Sequence, residues 1–343
     1  MNKLSIALIG FFAAAALPAL ADLYLAGDST MCNYNPRQYP QQGWGQALME
    51  FMKNPDELHN RAIGGRSARS FKEDGRWQRI VDELKPGDFV IVAFGHNDSN
   101  KAKKERYSTV EQFKELMAGF AGDVRSKGAT PIFATSIPHS GGFTESDGVM
   151  HVRGGAAGIG PYVAATRELG QELAVPVLDL NKYACEKLPA LGLEESFRLY
   201  MRIKPDEYQN YPNGKGDGCH TRDTGAFFFA KAAVELANVQ ELDVCKLWKK
   251  PSEVVHTPIP WGGPSGEVKP MRDDYSAEEI PYANEEAANA EAAKAATANK
   301  PGKLEPWQRE ILNLRKEAER NGMSKSEAAR WAAAEFHRRH DQK

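Results

Sequence analysis

The stretch Leu23-Tyr24-Leu25-Ala26-Gly27-Asp28-Ser29-Thr30 joins a short apolar run to a glycine-led polar turn. The same alternation continues from Asp22 to about Val239. Apolar runs at Leu23 to Ala26, Phe89 to Phe94, Pro131 to Ala134 and Val175 to Leu178 read as buried strands. Between and after them, Gly43 to Met52, Glu73 to Leu84, Thr109 to Arg125, Pro161 to Leu173 and Asp223 to Ala237 read as helices. Short apolar strands separated by helical crossovers predict an α/β fold on an open, central parallel sheet, in which ligands bind at the carboxyl ends of the strands. The chemistry is therefore expected in the loops that leave the strands.

The chain has 343 residues, of which 41% are hydrophobic and 26% charged, enough to bury one sizeable core. With 44 basic and 46 acidic residues the formal charge is -2, which speaks against nucleic acid as a partner. Residues 1–21 read as a secretory signal peptide: Met1-Asn2-Lys3, an apolar run from Leu4 to Leu17, then Pro18-Ala19-Leu20-Ala21, with cleavage expected after Ala21. The run is shorter than the roughly 20 apolar residues of a membrane span, so no stable membrane insertion is expected after cleavage. The predicted address is secreted or periplasmic. There the four cysteines, Cys32, Cys185, Cys219 and Cys245, can form disulfides in any of three pairings, and a Cys32–Cys219 bridge is one hypothesis.

The boundaries read from composition are 22–248 for the main domain, 249–303 for a linker and 304–343 for a helical C-terminal appendage. The linker carries the Pro258 to Pro270 stretch and the Ala/Glu-rich run Glu285 to Ala298, too poor in large apolar residues for a core. In the appendage, Trp307 to Arg320 and Ser324 to His337 read as two helices joined at Asn321-Gly322-Met323, a unit suited to docking on the main domain or on a partner.

Ser29 stands where the first strand ends, but a serine is a poor nucleophile until a base takes its proton. Gly-Asp-Ser alone also reads as an ordinary turn. Asp217-Gly218-Cys219-His220, just before the last helix of the domain, supplies what the serine lacks. An aspartate three residues before a histidine can accept from Nδ1 in one turn and leave Nε2 to face Ser29. Ile63-Gly64-Gly65-Arg66-Ser67 follows a strand and offers a backbone amide without a Cβ in the way. Gly95-His96-Asn97-Asp98 follows the most apolar strand and offers the Asn97 side chain. With the amide of Ser29, Gly65 and Asn97 make a three-donor oxyanion hole. His139 and His151, in the Gly- and Ser-rich stretch Thr135 to Pro161, read as solvated loop histidines.

With these blocks assembled, the chain resembles the SGNH or GDSL hydrolase superfamily, whose serine, glycine, asparagine and histidine correspond to Ser29, Gly65, Asn97 and His220. Thr30 departs from the last letter of GDSL, at a position that is not catalytic. Asn60 to Phe71, Gly75-Arg76-Trp77 and Phe94 to Asp98 are similar to rhamnogalacturonan acetylesterases. The resemblance implies a flavodoxin-like, three-layer α/β/α fold, no cofactor and no metal. It also implies removal of O-acetyl groups from an acidic pectic polysaccharide through an acyl-serine. Arg66 and Arg69 would suit such a substrate, since a guanidinium grips a carboxylate through two hydrogen bonds. An ion pair near a helix start is the competing reading and stands level for Arg69. The catalytic blocks leave the acyl chain open, so a lipase-like or thioester-cleaving enzyme is the nearest alternative. A non-catalytic glycan binder or envelope scaffold is the more distant one. The polar stretch Thr135 to Pro161 favours a carbohydrate over a lipid.

Overall fold

The computed structural model describes residues 21–256 and scattered positions between Asn313 and Glu335. The signal peptide, the linker beyond His256 and most of the two C-terminal helices lie outside the described residues. Positions 313, 314, 316–318 and 320 are helical, and the Asn321 amide donates to Glu317 and Ala318 where that helix ends.

Five parallel strands form the central sheet: β1 (Leu23–Gly27), β2 (Leu58–Asn60), β3 (Phe89–Ala93), β4 (Thr130–Ala134) and, after a hairpin of β5 (Phe143–Ser146) and β6 (Val149–Val152), β7 (Val177–Leu178). Their order is β2-β1-β3-β4-β7. Counted within the sheet this is the doubly wound 2-1-3-4-5 arrangement, with its crossover reversal between β1 and β3. A second antiparallel hairpin, β8 (Tyr200–Ile203) with β9 (Lys215–Thr221), stands outside the sheet.

Successive side chains of a strand point to opposite faces, and the cores divide accordingly. Leu23, Leu25, Ile91 and Ile132 join one core, while Tyr24, Ala26, Val90, Val92 and Phe133 join the other. The first is covered by α1 (Trp44–Ala47), α6 (Leu180–Lys187) and α8 (Asp223–Val239), through Trp44, Leu180, Phe229 and Val234. The second is covered by α2 (Ala68–Glu73), α3 (Arg76–Glu83), α4 (Val110–Ser126) and α5 (Gly160–Glu172), through Phe71, Trp77, Phe120 and Leu169. The short α7 (Leu193–Arg198) packs near the β8–β9 hairpin. Burial on both faces explains why β1 and β3 read as unbroken apolar runs.

Two expected helices differ. Glu73 to Leu84 is two helices, because Gly75 takes a left-handed φ of 73° between them and α2 starts earlier, on a Ser67–Ser70 capping box. Gly43 to Met52 is one turn of α-helix followed by a 3-10 turn, Leu48–Phe51. Met52 then extends to bridge Trp248, which ends the helix. The chain stays packed past Trp248: the Lys249 amide donates to Phe51 and the His256 ring stacks on Phe227 at 4.7 Å.

Candidate active site

Because β2, β1 and β3 are neighbours, the three loops that leave their carboxyl ends converge. The first is the Ser29 turn. Asp28 is buried, and its Oδ1 accepts the Thr30 amide at 2.9 Å and the Thr30 hydroxyl at 2.8 Å. The Asp28 carbonyl accepts from the amides of Met31 and Cys32, so the chain folds back directly after the serine. Burial alone would raise the Asp28 carboxyl, but His96 and the Thr30 donors outweigh it and hold the group below its ordinary range. His96 stands with Nδ1 3.5 Å from Asp28 and Nε2 3.0 Å from the Ile137 carbonyl. It thereby joins the β3 loop to the serine turn.

The second loop carries Gly65 at φ 74°, a left-handed conformation that costs glycine little. A Cβ there would stand 3.2 to 3.4 Å from the Arg106 guanidinium. The third loop carries Asn97, whose amide nitrogen donates to the Arg66 carbonyl at 3.0 Å while its Oδ1 accepts from Arg106 at 3.3 Å. One N–H of the Asn97 amide is thus used, the amide is fixed from both ends, and the second N–H is its remaining donor. Asp98 ties this loop to α2 by accepting the amides of Ala68 and Gly95. Burial, with the charge of Asp28 adding to it, pushes the Asp98 carboxyl up to about 7 despite those amides.

Asp217 and His220 arrive from the β8–β9 hairpin. Arg202 pairs with Gly216 and Tyr200 with Thr221, so residues 217–220 face the single residue Met201 and bulge out of the ladder. The bulge curls around one carboxylate. Asp217 Oδ1 accepts the amides of Cys219 at 2.9 Å and His220 at 3.1 Å, and Oδ2 lies 2.7 Å from His220 Nδ1. Burial would raise Asp217, but His220, Lys215 and the His220 amide hold its carboxyl far below the ordinary range. An ionised acceptor at Nδ1 puts the proton there and leaves Nε2 as the basic nitrogen.

Tyr34, which the sequence reading passed over, meets both halves of the site. Its hydroxyl donates to the Ser29 carbonyl at 2.7 Å, and its ring stands edge-on to the His220 imidazole with centroids 6.4 Å apart. No hydrogen bond runs directly from Ser29 Oγ to His220, a looseness frequent in catalytic pairs before substrate binds. Arg106 was also missed. Its segment, Lys101 to Arg106, looks like a solvated basic run, and nothing local announces that the last guanidinium folds back onto Gly65 and Asn97.

Other expectations meet a different outcome. Arg66 is engaged by Asp74 at 2.6 Å, and Arg69 donates to the Lys104 carbonyl and pairs with Glu73 at 3.8 Å, so both guanidiniums have structural partners beside α2. The Cys32–Cys219 bridge is not formed: all four cysteines are free, and the Cys32 thiol is turned toward the Ser29 carbonyl at 3.8 Å. His151 is exposed, as expected of a loop residue, although it lies in β6. His139 is half-buried. Burial, then His96, push its imidazole below the ordinary value, and its ring lies against Gly218 of the bulge. Among the described residues, no helix is long and apolar enough to cross a membrane.

The model of the GDSL-like lipase/acylhydrolase family matches residues 25–225, from β1 through the start of α8. Rhamnogalacturonan acetylesterase RhgT of Bacillus subtilis is 38% identical over 220 residues, 64% of this chain and 90% of that protein. The probable rhamnogalacturonan acetylesterase YesY of the same organism is 33% identical over 180 residues, 52% of this chain and 79% of its own length. Among solved structures, the Bacillus subtilis protein YxiM superposes with a TM-score of 0.54 at 30% identity, over 65% of this chain and 57% of that longer one. The family match spans the loops that hold Ser29, Gly65, Asn97 and His220: this chain belongs to the GDSL, or SGNH, hydrolase family and is an SGNH esterase.

Proposed function

We propose that the protein is an exported carbohydrate esterase that removes O-acetyl groups from rhamnogalacturonan. The observation that carries the chemistry is the 2.7 Å contact between Asp217 and His220 Nδ1, set beside the Ser29 turn by Tyr34. What favours the pectic polymer is the 38% identity to a protein named for that activity.

In the proposed cycle His220 Nε2 takes the proton of Ser29 as Oγ attacks the acetyl carbonyl. Asp217 stabilises the imidazolium that results. Negative charge on the carbonyl oxygen is met by the amides of Ser29 and Gly65 and by the remaining N–H of Asn97. Arg106 holds the Asn97 amide and lies against Gly65, so it is a positioning residue for two of the three donors. Collapse returns the proton to the departing sugar hydroxyl and leaves acetyl-Ser29. Water deprotonated by His220 then attacks the acyl group, and acetate leaves as Ser29 regains its proton. Asp28 belongs to the scaffold, because Thr30 donates twice to its Oδ1 and His96 stands 3.5 Å from its Oδ2.

Acetate release from acetylated rhamnogalacturonan, with acetylated xylan alongside and the Ser29→Ala protein as control, tests this reading. Serine-dependent release from the pectic polymer in preference to xylan is expected. Equal release from both would leave the esterase and remove the substrate assignment. Export is tested separately by the N-terminal sequence of the mature protein, expected to begin at Asp22.

A further inference from the structure

Lys215 stands opposite Ile203 on the β8–β9 hairpin, two residues before Asp217 and the bulge. Residues two apart leave a strand on the same face, and the Lys215 ammonium comes within 3.5 Å of Asp217 Oδ2. The ammonium is held from its other side as well. It donates to Gln41 Oε1 at 2.8 Å and lies 5.4 Å from the centroid of the Tyr211 ring. Gln41 is buried and its backbone bridges Arg222, so this anchor is fixed by the fold.

Asp217 Oδ1 takes the amides of Cys219 and His220, and Oδ2 is shared by His220 Nδ1 at 2.7 Å and the Lys215 ammonium at 3.5 Å. Those donors fill the acceptor sites of an ionised carboxylate. Against burial, which would raise it, His220 first and Lys215 after it hold the Asp217 carboxyl far below the ordinary range. The other titratable groups around the pair are Tyr34 from the β1 loop, Cys219 on the bulge and His139 from the loop before β5. Burial pushes the Tyr34 hydroxyl and the Cys219 thiol up and the His139 imidazole down, so all three are uncharged near neutral pH. Asp28 bears on Cys219, and Arg202 on His139. Lys215 is the cation set directly on the carboxylate that orients the base.

We propose that Lys215 is a positioning residue for the esterase cycle: its charge on Asp217 Oδ2 makes the imidazolium of His220 less favourable, so that hydrolysis persists into more acidic solution. The inference rests on the reading of Ser29, His220 and Asp217 as nucleophile, base and orienter. With Lys215 in place, carboxylate, ammonium and neutral imidazole sum to zero charge, and taking the Ser29 proton leaves the group at +1. Without it the same step runs from -1 to zero. An imidazolium beside a neutralised carboxylate is less stabilised than one beside a bare carboxylate. Lys215 therefore keeps His220 available as a base where a lone Asp–His pair would already hold a proton, at the cost of a somewhat weaker base.

The pH profile of kcat/KM on p-nitrophenyl acetate, read for the full chain beside Lys215→Gln and Lys215→Met, tests this without the polymer. In both neutral variants the acid limb should move up by roughly half to one pH unit, a loss of about three- to tenfold in kcat/KM at a fixed pH on that limb. The plateau at higher pH should stay within about threefold of wild type, since the base gains strength as the limb moves. Lys215→Arg should bring the limb most of the way back. An unmoved limb in both neutral variants, or one moved as far by Lys215→Arg, would overturn the proposal; a lowered thermal midpoint with that unmoved limb would leave Lys215 a structural tie alone. NMR titration of the His220 ring in the Ser29→Ala protein, with and without Lys215→Gln, reads the same coupling without turnover. Its midpoint should rise on loss of the lysine, and an unchanged midpoint would also overturn the proposal. A ring titration that moves while the kcat/KM limb stays would keep the coupling and remove His220 as the base.

Discussion

Ser29 stands on a turn closed by its own neighbours, whereas Asp217 and His220 stand on a bulge that exists only because two distant segments pair. Around Ser29 most contacts are local, Asp28 with Thr30, Met31 and Cys32 on a strand buried on both faces, and His96 of the β3 loop adds a distant one to Asp28. Around His220 the ladder must be lost for four residues of β9 against one of β8, and His139 and Ser140 must press on Gly218 from another loop. The nucleophile is therefore placed by local sequence and the base by tertiary packing. A change in the first region should act on chemistry alone, and a change in the second on chemistry and fold together.

The sharpest break of the comparison is Ser29→Ala. Activity on acetylated polymer or p-nitrophenyl acetate should fall on the order of 10^5-fold, with the thermal midpoint unmoved, because only an intermediate-exposed hydroxyl is removed. Residual activity near wild type in the purified variant would refute the nucleophile. Asp217→Asn comes next, with roughly a 10^3- to 10^4-fold loss in kcat as His220 loses the acceptor that fixes its tautomer. A loss below about tenfold would mean that another group orients the ring. Smaller still, Gly218→Ala forces the bulge away from His139 and Ser140, and is expected to cost about 1 to 3 kcal/mol of stability together with about tenfold in activity. If its midpoint and turnover both match wild type, the bulge is not held by packing.

Asp98 sharpens the comparison from the side of β3. Its folded pKa of about 7 lies above the ordinary 3.8, so the folded chain keeps a proton that the unfolded chain has lost between those values. Its contribution to stability is complete below about pH 4, falls as pH rises toward about 7, and is flat above. Other carboxylates slope the opposite way, so the measurement is the difference in unfolding free energy between wild type and Asp98→Asn across that window. A difference that does not change with pH would show that Asp98 is ionised throughout.

Much of the candidate site is legible in the sequence. Strands at Leu23, Phe89 and Pro131 are continuous apolar runs because both faces are buried, and Ser29, Gly65 and Asn97 stand in the loops that leave strands. The two hairpins were not legible. Phe143–Ser146 and Val149–Val152 are largely exposed and lack an apolar stripe, while Lys215–Thr221 contains two glycines and is irregular. Tyr34 and Arg106 carry no pattern either, since each acts through partners brought near by the crossover of the chain.

The sequence by itself determined the parallel α/β plan, the serine at the end of the first strand and the aspartate three residues before its histidine, because these depend on burial period and short-range geometry. Only the tertiary structure decided that Arg66 and Arg69 are engaged beside α2. It also decided that all four cysteines are free, and that Arg106 reaches two of the proposed oxyanion donors. A long cationic side chain takes its partner from whatever folds within its reach. That is a property of neighbours far apart in the chain, and no local pattern encodes it.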